Sequence, residues 1–415
     1  MKKVAALTFA LSLTFIGLGT TNAYAKQTEE QLAEKQSKLI EKFDKELSKM
    51  NLDYESLQDI GGVYFDEDVM TIQIDETPTK GQQVMSKQDQ QRLEKLKKIS
   101  EKIAETSPNE FEVKTVSKSY SELVELQKQI GNQAETMGLD NFVIDLSTKQ
   151  SKLILRIADL SNEDKQTLHS MYGSDLKIEI DKNTEKEHKS KNEGYKSRKS
   201  DWNSQGAGIG IGTSAGSCST AGVAIKGSNL WVMTAGHCND GSNNMFYQWG
   251  SRFGTTHLDA TASDYDFLLV KENGSTLKRY ASNGLYGTIG DTSTGYDGQL
   301  TGSFFQAEGL RVCKVGITTN RTCGVVDVAR RQARFGTGLV TSVVKGDGSA
   351  LSAEGDSGGA WFTRSQPFRL VGIHQGGNKK LSNDYSSVSY FTPWGEVAEK
   401  YGLQLYRSST PTAMN

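Results

Sequence analysis

The chain has 415 residues, 36% of them hydrophobic, and a formal net charge of -2. It is long enough for two or three domains with ordinary cores. No basic stripe or charged tail accompanies that near balance, which argues against a nucleic-acid partner.

Lys2 and Lys3 precede an apolar run from Val4 to Leu18, and Ala23-Tyr24-Ala25 follows. This is the pattern of a secretory signal peptide over residues 1–25, and it predicts an exported, extracellular protein. The run is short for a membrane span, so no membrane association is expected.

Residues 26–200 hold 28 Lys plus Arg against 34 Asp plus Glu and no Cys or Trp, whereas residues 201–415 hold 18 against 16 and 33 of the 42 glycines. That shift marks a domain boundary. The leading half reads as α+β. Residues 28–49 and 89–106 are amphipathic helices, with Leu32, Leu39, Ile40, Phe43 and Leu47 at helical spacing in the first. Val63 to Phe65 and Val69 to Ile74 are short strands between them, so residues 26–116 form one unit.

A second unit, 117–182, has a helix through Leu123, Leu126 and Ile130, strands Phe142 to Leu146 and Leu153 to Ile157, a helix opened by Ser161 with Asp164, and a strand through Leu176, Ile178 and Ile180. Residues 183–203 are a charged linker whose Lys196, Arg198 and Lys199 are expected to be exposed to maturation cleavage. From residue 204 the pattern is short β runs between Gly, Asn, Asp and Ser: Gly222 to Ile225, Leu230 to Met233, Phe267 to Val270, Gly338 to Val344, Ala360 to Phe362 and Leu370 to Ile373. Such spacing predicts an all-β barrel or sandwich.

The four cysteines permit three connectivities, and Cys218 with Cys238 and Cys313 with Cys323 are the close pairs. Their wide spacing and the absence of a histidine cluster favour two local disulfides over zinc, so neither metal nor cofactor is expected.

Two strings carry chemistry: Thr234-Ala235-Gly236-His237-Cys238 and Gly355-Asp356-Ser357-Gly358-Gly359. A serine hydroxyl needs a base within reach and a third group to orient that base, which casts Ser357 as nucleophile and His237 as base. The glycines let a substrate carbonyl approach the amides of Gly355 and Ser357, an oxyanion hole. The third member is a carboxylate that its neighbours bury, and Ser263-Asp264-Tyr265-Asp266-Phe267 offers two candidates, Asp264 and Asp266.

On these strings the chain resembles the secreted bacterial chymotrypsin-fold serine proteases of the alpha-lytic protease and streptogrisin branch. The resemblance covers nearly all of residues 205–405 and implies two six-stranded β-barrels with the active site between them; because the family places the triad carboxylate directly before an apolar strand it favours Asp266, although the Asp-Tyr string of streptogrisin-type chains points to Asp264. It also implies that residues 117–182 are an alpha-lytic-type pro-region module, and that the leader is the domain's own intramolecular partner, aiding folding and blocking the cleft. Cys313-Lys314-Val315-Gly316-Ile317-Thr318-Thr319 matches a string of that branch in which a basic residue answers the carboxylate beside the nucleophile, which pairs Lys314 with Asp356.

The substrate pocket implied by the family comprises Leu351, Ser352, Glu354, His374, Gly376 and Gly377. Nothing acidic stands at Leu351, so cleavage after Lys or Arg is not expected. His374 matches a histidine of glutamate-specific relatives, leaving small or apolar and acidic P1 residues both open. The expected protein is thus a monomeric serine endopeptidase acting on proteins or peptides, made as a zymogen. The alternative is a silent homologue that binds without cutting.

Overall fold

The computed structural model describes residues 27–75, 87–181, 198, 201–214, 216–239, 241, 244–273, 277–287, 295–333, 340–346, 350–378 and 385–414. The signal segment and most of the expected linker lie outside them.

The leader opens with helix α1 (Glu29–Lys49), capped by Thr28 and Gln31 in a reciprocal capping box. Its predicted stripe, Leu32 to Leu47, is buried. After α2 (Tyr54–Gln58), strands β1 (Gly61–Asp66) and β2 (Val69–Asp75) pair antiparallel, and beyond α3 (Lys87–Thr106) strand β3 (Phe111–Val116) adds parallel to β2. The second unit runs α4 (Tyr120–Thr136), β4 (Phe142–Ser147), β5 (Lys152–Ile157), α5 (Asn162–Tyr172) and β6 (Leu176–Ile180). Helix α2 and strand β3 are additions to the sequence expectation: α2 has only five residues, too few for a helical period, and β3 buries only Phe111 fully, so it carries no apolar alternation.

Strands β7 (Ser204–Thr213), β8 (Gly216–Lys226), β9 (Asn229–Thr234), β10 (Met245–Gln248), β11 (Ser251–Asp259) and β12 (Leu268–Glu272) close on themselves. Pairings run β7 to β8, β8 to β9, β9 to β12, β12 to β11, β11 to β10 and β10 back to β7. After the bridging strands β13 (Tyr280–Tyr286) and β14 (Tyr296–Ser303) come β15 (Arg311–Gly316), β16 (Asn320–Ala333), β17 (Val340–Lys345), β18 (Ala360–Thr363), β19 (Phe368–Gly377) and β20 (Val388–Pro393), then helix α6 (Trp394–Tyr401). These six strands also close, in the order β15, β16, β17, β20, β19, β18 and back to β15. Closure satisfies every edge, which lets such short strands stand in a stable sheet. Two six-stranded barrels are therefore present as expected, a chymotrypsin-like architecture preceded by an α+β leader.

The leader packs on the second barrel. Phe43, Ile72 and Leu96 share one core with Phe304, Phe305, Leu310 and Trp361. Strand β4 adds antiparallel to β16, Arg331 opposite Asp145. Acidic leader residues meet arginines of the barrel domain: Glu29 with Arg311 at 2.8 Å, Glu30 with Arg364 at 3.0 Å, and buried Asp145 with Arg331 at 2.8 Å. Among the described residues no helix is long and apolar enough to cross a membrane.

Candidate active site

His237 sits in a single helical turn, Gly236–Cys238, at the end of β9. The disulfide Cys218–Cys238 ties that turn to β8. Asp266 lies two residues before Leu268, the first residue of β12, the strand that pairs with β9, so barrel register brings it under the histidine. The carboxylate grips His237 twice: Oδ1 accepts from the backbone amide at 2.8 Å, and Oδ2 stands 2.6 Å from Nδ1. Asp266 is fully buried, and its own carbonyl accepts from the Thr392 hydroxyl at 3.0 Å. Asp264, the other sequence candidate, is exposed at the end of a turn with φ 75°.

His237 Nε2 lies 2.8 Å from Ser357 Oγ. Ser357 comes from the loop before β18, inside the second barrel, and its carbonyl accepts from the Ser219 amide of the first at 2.7 Å. Gly358 has φ 84°, and a Cβ there would stand 2.1 Å from Thr234 Oγ1 and 2.3 Å from the Ser219 carbonyl. Only glycine lets the two barrels approach this closely behind the serine. Among the described residues, the amides of Gly355 and Ser357 have no intramolecular acceptor, while the Ser219 hydroxyl holds the Gly355 carbonyl at 2.8 Å.

Asp356, next to the serine, points away from it into the second barrel. Its carboxylate is fully buried and takes five donors: Lys314 Nζ at 2.8 Å, the amides of Thr318 at 2.9 Å, Thr319 at 3.0 Å and Ala353 at 3.0 Å, and the Thr319 hydroxyl at 2.6 Å. Burial alone pushes the carboxyl up, but the charge of Lys314 and these bonds hold it below the usual carboxylate range. The same burial lowers the basicity of Lys314. A Cβ on Gly316 would stand 2.3 Å from Asp356 Oδ1, so the glycine of this string clears room for the carboxylate. Adjacent hydroxyl residues after a glycine turn, Thr318 and Thr319, are the sequence signal for this carboxylate cradle. The Cys313–Cys323 disulfide crosses the hairpin carrying the string.

His374 on β19 is anchored beside the nucleophile by its backbone: its carbonyl accepts from the Gly358 amide and its amide donates to the Gly359 carbonyl, both at 2.8 Å. Its Nδ1 accepts from the indole Nε1 of Trp361 at 3.2 Å. An indole N–H can only donate, so Nδ1 is unprotonated and Nε2 carries the hydrogen. Burial first, then the positive charge of Lys314, lowers its pKa to about 3. Trp361 escaped the sequence reading, because nothing in a strand motif says which neighbour an imidazole will meet.

Of the other expected pocket residues, Leu351 and Ser352 are fully buried, Leu351 in a core with Trp361 and Phe391, and Ser352 against the Ser389 hydroxyl at 2.7 Å. Gly376 and Gly377 are buried on β19, and Glu354 is half-buried, its carbonyl accepting from the Thr318 hydroxyl. One expectation is overturned: Arg198, read as an exposed cleavage point, is buried against the barrel domain because backbone carbonyls and an aromatic face receive it.

The trypsin family model matches residues 192–395. Streptogrisin-C of Streptomyces griseus is 29% identical over 203 residues, a match that covers 48% of this chain and 40% of that protein. Glutamyl endopeptidase 2 of Streptomyces griseus is 28% identical over 194 residues, covering 46% of this chain and 93% of that protein. A solved glutamic acid specific serine protease is 26% identical, with a TM-score of 0.39 over 48% of this chain and 99% of its own. Over residues 192–395 the chain is thus similar to the trypsin family, and in sequence to a streptogrisin and a glutamyl endopeptidase.

Proposed function

We propose that the protein is a secreted serine endopeptidase, made as a prepro-enzyme, that cleaves after acidic residues. The observation that carries the reading is one imidazole bridging a buried carboxylate and a serine hydroxyl, 2.6 Å on one side and 2.8 Å on the other. Ser357 Oγ attacks the scissile carbonyl while His237 Nε2 takes its proton, and Asp266 fixes the tautomer and stabilises the imidazolium. The Gly355 and Ser357 amides receive the oxyanion, and the Asp356 cradle keeps those amides aimed. His237 then gives its proton to the leaving amine, and water, activated by the same base, releases the acyl group from Ser357.

Preference for an acidic P1 residue rests on His374, whose Nε2–H faces away from Trp361 as a donor. The similarity to glutamyl endopeptidase 2 supports it. The leader, packed on the second barrel through a shared core and a strand pairing, acts as folding aid and inhibitor. Export rests on the signal pattern, and two disulfides suit an oxidising compartment.

A fluorophosphonate that labels Ser357 tests the reading, with Ser357→Ala as control. No labelling, together with a Ser357→Ala protein indistinguishable from the original on casein, leaves a silent homologue instead. A peptide library read by P1 residue tests specificity: a preference for small or apolar P1, or a glutamate preference unchanged in His374→Val, removes the role given to His374. The leader's role fails if residues 201–415 alone fold promptly to full activity and added 26–200 does not inhibit.

A further inference from the structure

Arg198 is 1% exposed, in a stretch whose sequence looks like linker. Its Nη1 donates to the Gly316 carbonyl at 3.0 Å and reaches the Gly208 carbonyl at 3.4 Å. The guanidinium lies 4.6 Å over the centre of the Tyr286 ring. At Gly287 a Cβ would stand 1.9 Å from Nη2, so the chain is bare where the guanidinium lies. Three separate strands, β7, β13 and β15, thus contribute to one receptacle for this side chain. A charge buried this deeply costs several kcal/mol unless such partners answer it.

Asp201, Trp202 and Ser204 are held as firmly. Asp201 pairs with buried Arg279 at 2.6 Å, the Trp202 ring meets Tyr286 edge-on at 5.5 Å, and the Tyr296 hydroxyl donates to the Ser204 carbonyl at 2.8 Å. Arg198, Asp201, Trp202 and Ser204 are therefore part of the folded barrel domain. Gly316 is also the residue that clears space for Asp356, two and three positions before the Thr318 and Thr319 amides that hold the carboxylate.

We propose that Arg198 is a positioning residue of the mature enzyme, holding through the Gly316 carbonyl the turn that cradles Asp356, and that maturation cleavage falls on its N-terminal side. This rests on the protease reading. Cutting after Arg198 or Lys199 would draw the guanidinium from its receptacle into a cleft and then discard it, leaving the Gly316 carbonyl without its donor. Arg198 also adds to the positive potential at Lys314, whose other charged neighbour is Asp356, with neutral His374 nearby.

The experiment uses the full chain matured during expression, its new N-terminus sequenced, alongside Arg198→Lys and Arg198→Met. A mature chain beginning at or before Arg198 is expected. Arg198→Met should lower kcat about tenfold with KM nearly unchanged, less than the roughly 100- to 1000-fold cost of deleting an oxyanion donor itself. Its alkaline limb should move up in pH, because Lys314 loses a positive neighbour. Arg198→Lys should recover most of kcat and restore that limb, and it carries the test alone if the methionine variant does not fold. A fully active mature chain that starts beyond Arg198, or a variant that loses thermal stability while kcat and the alkaline limb stay put, overturns the proposal. If the unaltered chain does not take the fluorophosphonate, the protease reading falls and this inference with it; labelling with an unaffected Arg198→Met sinks the inference alone.

Discussion

His237 and His374 stand on either side of the same serine loop and differ in one partner. His237 offers Nδ1 to a buried carboxylate, which accepts its hydrogen and welcomes a positive ring. His374 offers Nδ1 to an indole, which donates, and burial beside the ammonium of Lys314 opposes a positive ring. One imidazole is thereby built to take a proton and the other to stay neutral while donating a hydrogen bond. The type of residue is the same, and the second neighbour decides its work.

Breaking the first half of that comparison should have the largest effect. Asp266→Asn keeps the shape but presents a donor where Nδ1–H needs an acceptor, and it should cost about 10⁴-fold in kcat. Steady-state kinetics on a peptide substrate checks this, and a loss under tenfold would mean that Asp266 does not set the tautomer. Lys314→Met comes next. It removes the one cation from the buried Asp356 carboxylate, and breaking such a pair costs about 3 to 5 kcal/mol. Thermal unfolding and kcat should fall together. Because the Asp356 carboxyl is held below its usual range, its contribution is complete at neutral pH and fades only as pH falls through that depressed value.

These two residues also show how much was legible in the sequence. The catalytic strings and the α1 stripe follow from local chemistry, that is periodicity, turn residues and the demands of a nucleophile, whereas the short β runs say only barrel or sandwich and the pair of six-stranded barrels comes from the family resemblance. Asp266 could be ranked over Asp264 by its position before an apolar strand, yet only the pairing of β9 with β12 shows which carboxylate reaches Nδ1. Trp361 and Arg198 were not legible at all. Each acts through a contact made across strands, and Arg198 in particular lies in a run of charge whose composition says solvent while its partners, two carbonyls and a ring, belong to strands downstream.

The second half of the comparison gives smaller effects. Trp361→Phe deletes the donor that fixes the His374 tautomer, worth about 1 kcal/mol for a single hydrogen bond. The proposed preference for P1 glutamate over glutamine should drop roughly fivefold, a ratio that a general loss of stability does not move. An unchanged ratio would mean that the indole does not organise the pocket.

The pH dependence of that same ratio is the finest test. With a pKa of about 3, His374 is neutral throughout the working range, so its own charge does not change near pH 6.5. Selectivity for glutamate should hold from pH 8 down to about pH 5 and fall only as the substrate carboxyl takes its proton, near about 4.3 for a free glutamate side chain. Stability behaves differently. Between the ordinary histidine value of 6.5 and about 3 the unfolded chain binds a proton that folded His374 refuses, so acid destabilises the fold over that window, and His374→Val should blunt the loss. If selectivity instead decays between pH 6 and 7, the ring binds substrate as a cation. The contrast between the two histidines would then collapse to one chemistry used twice.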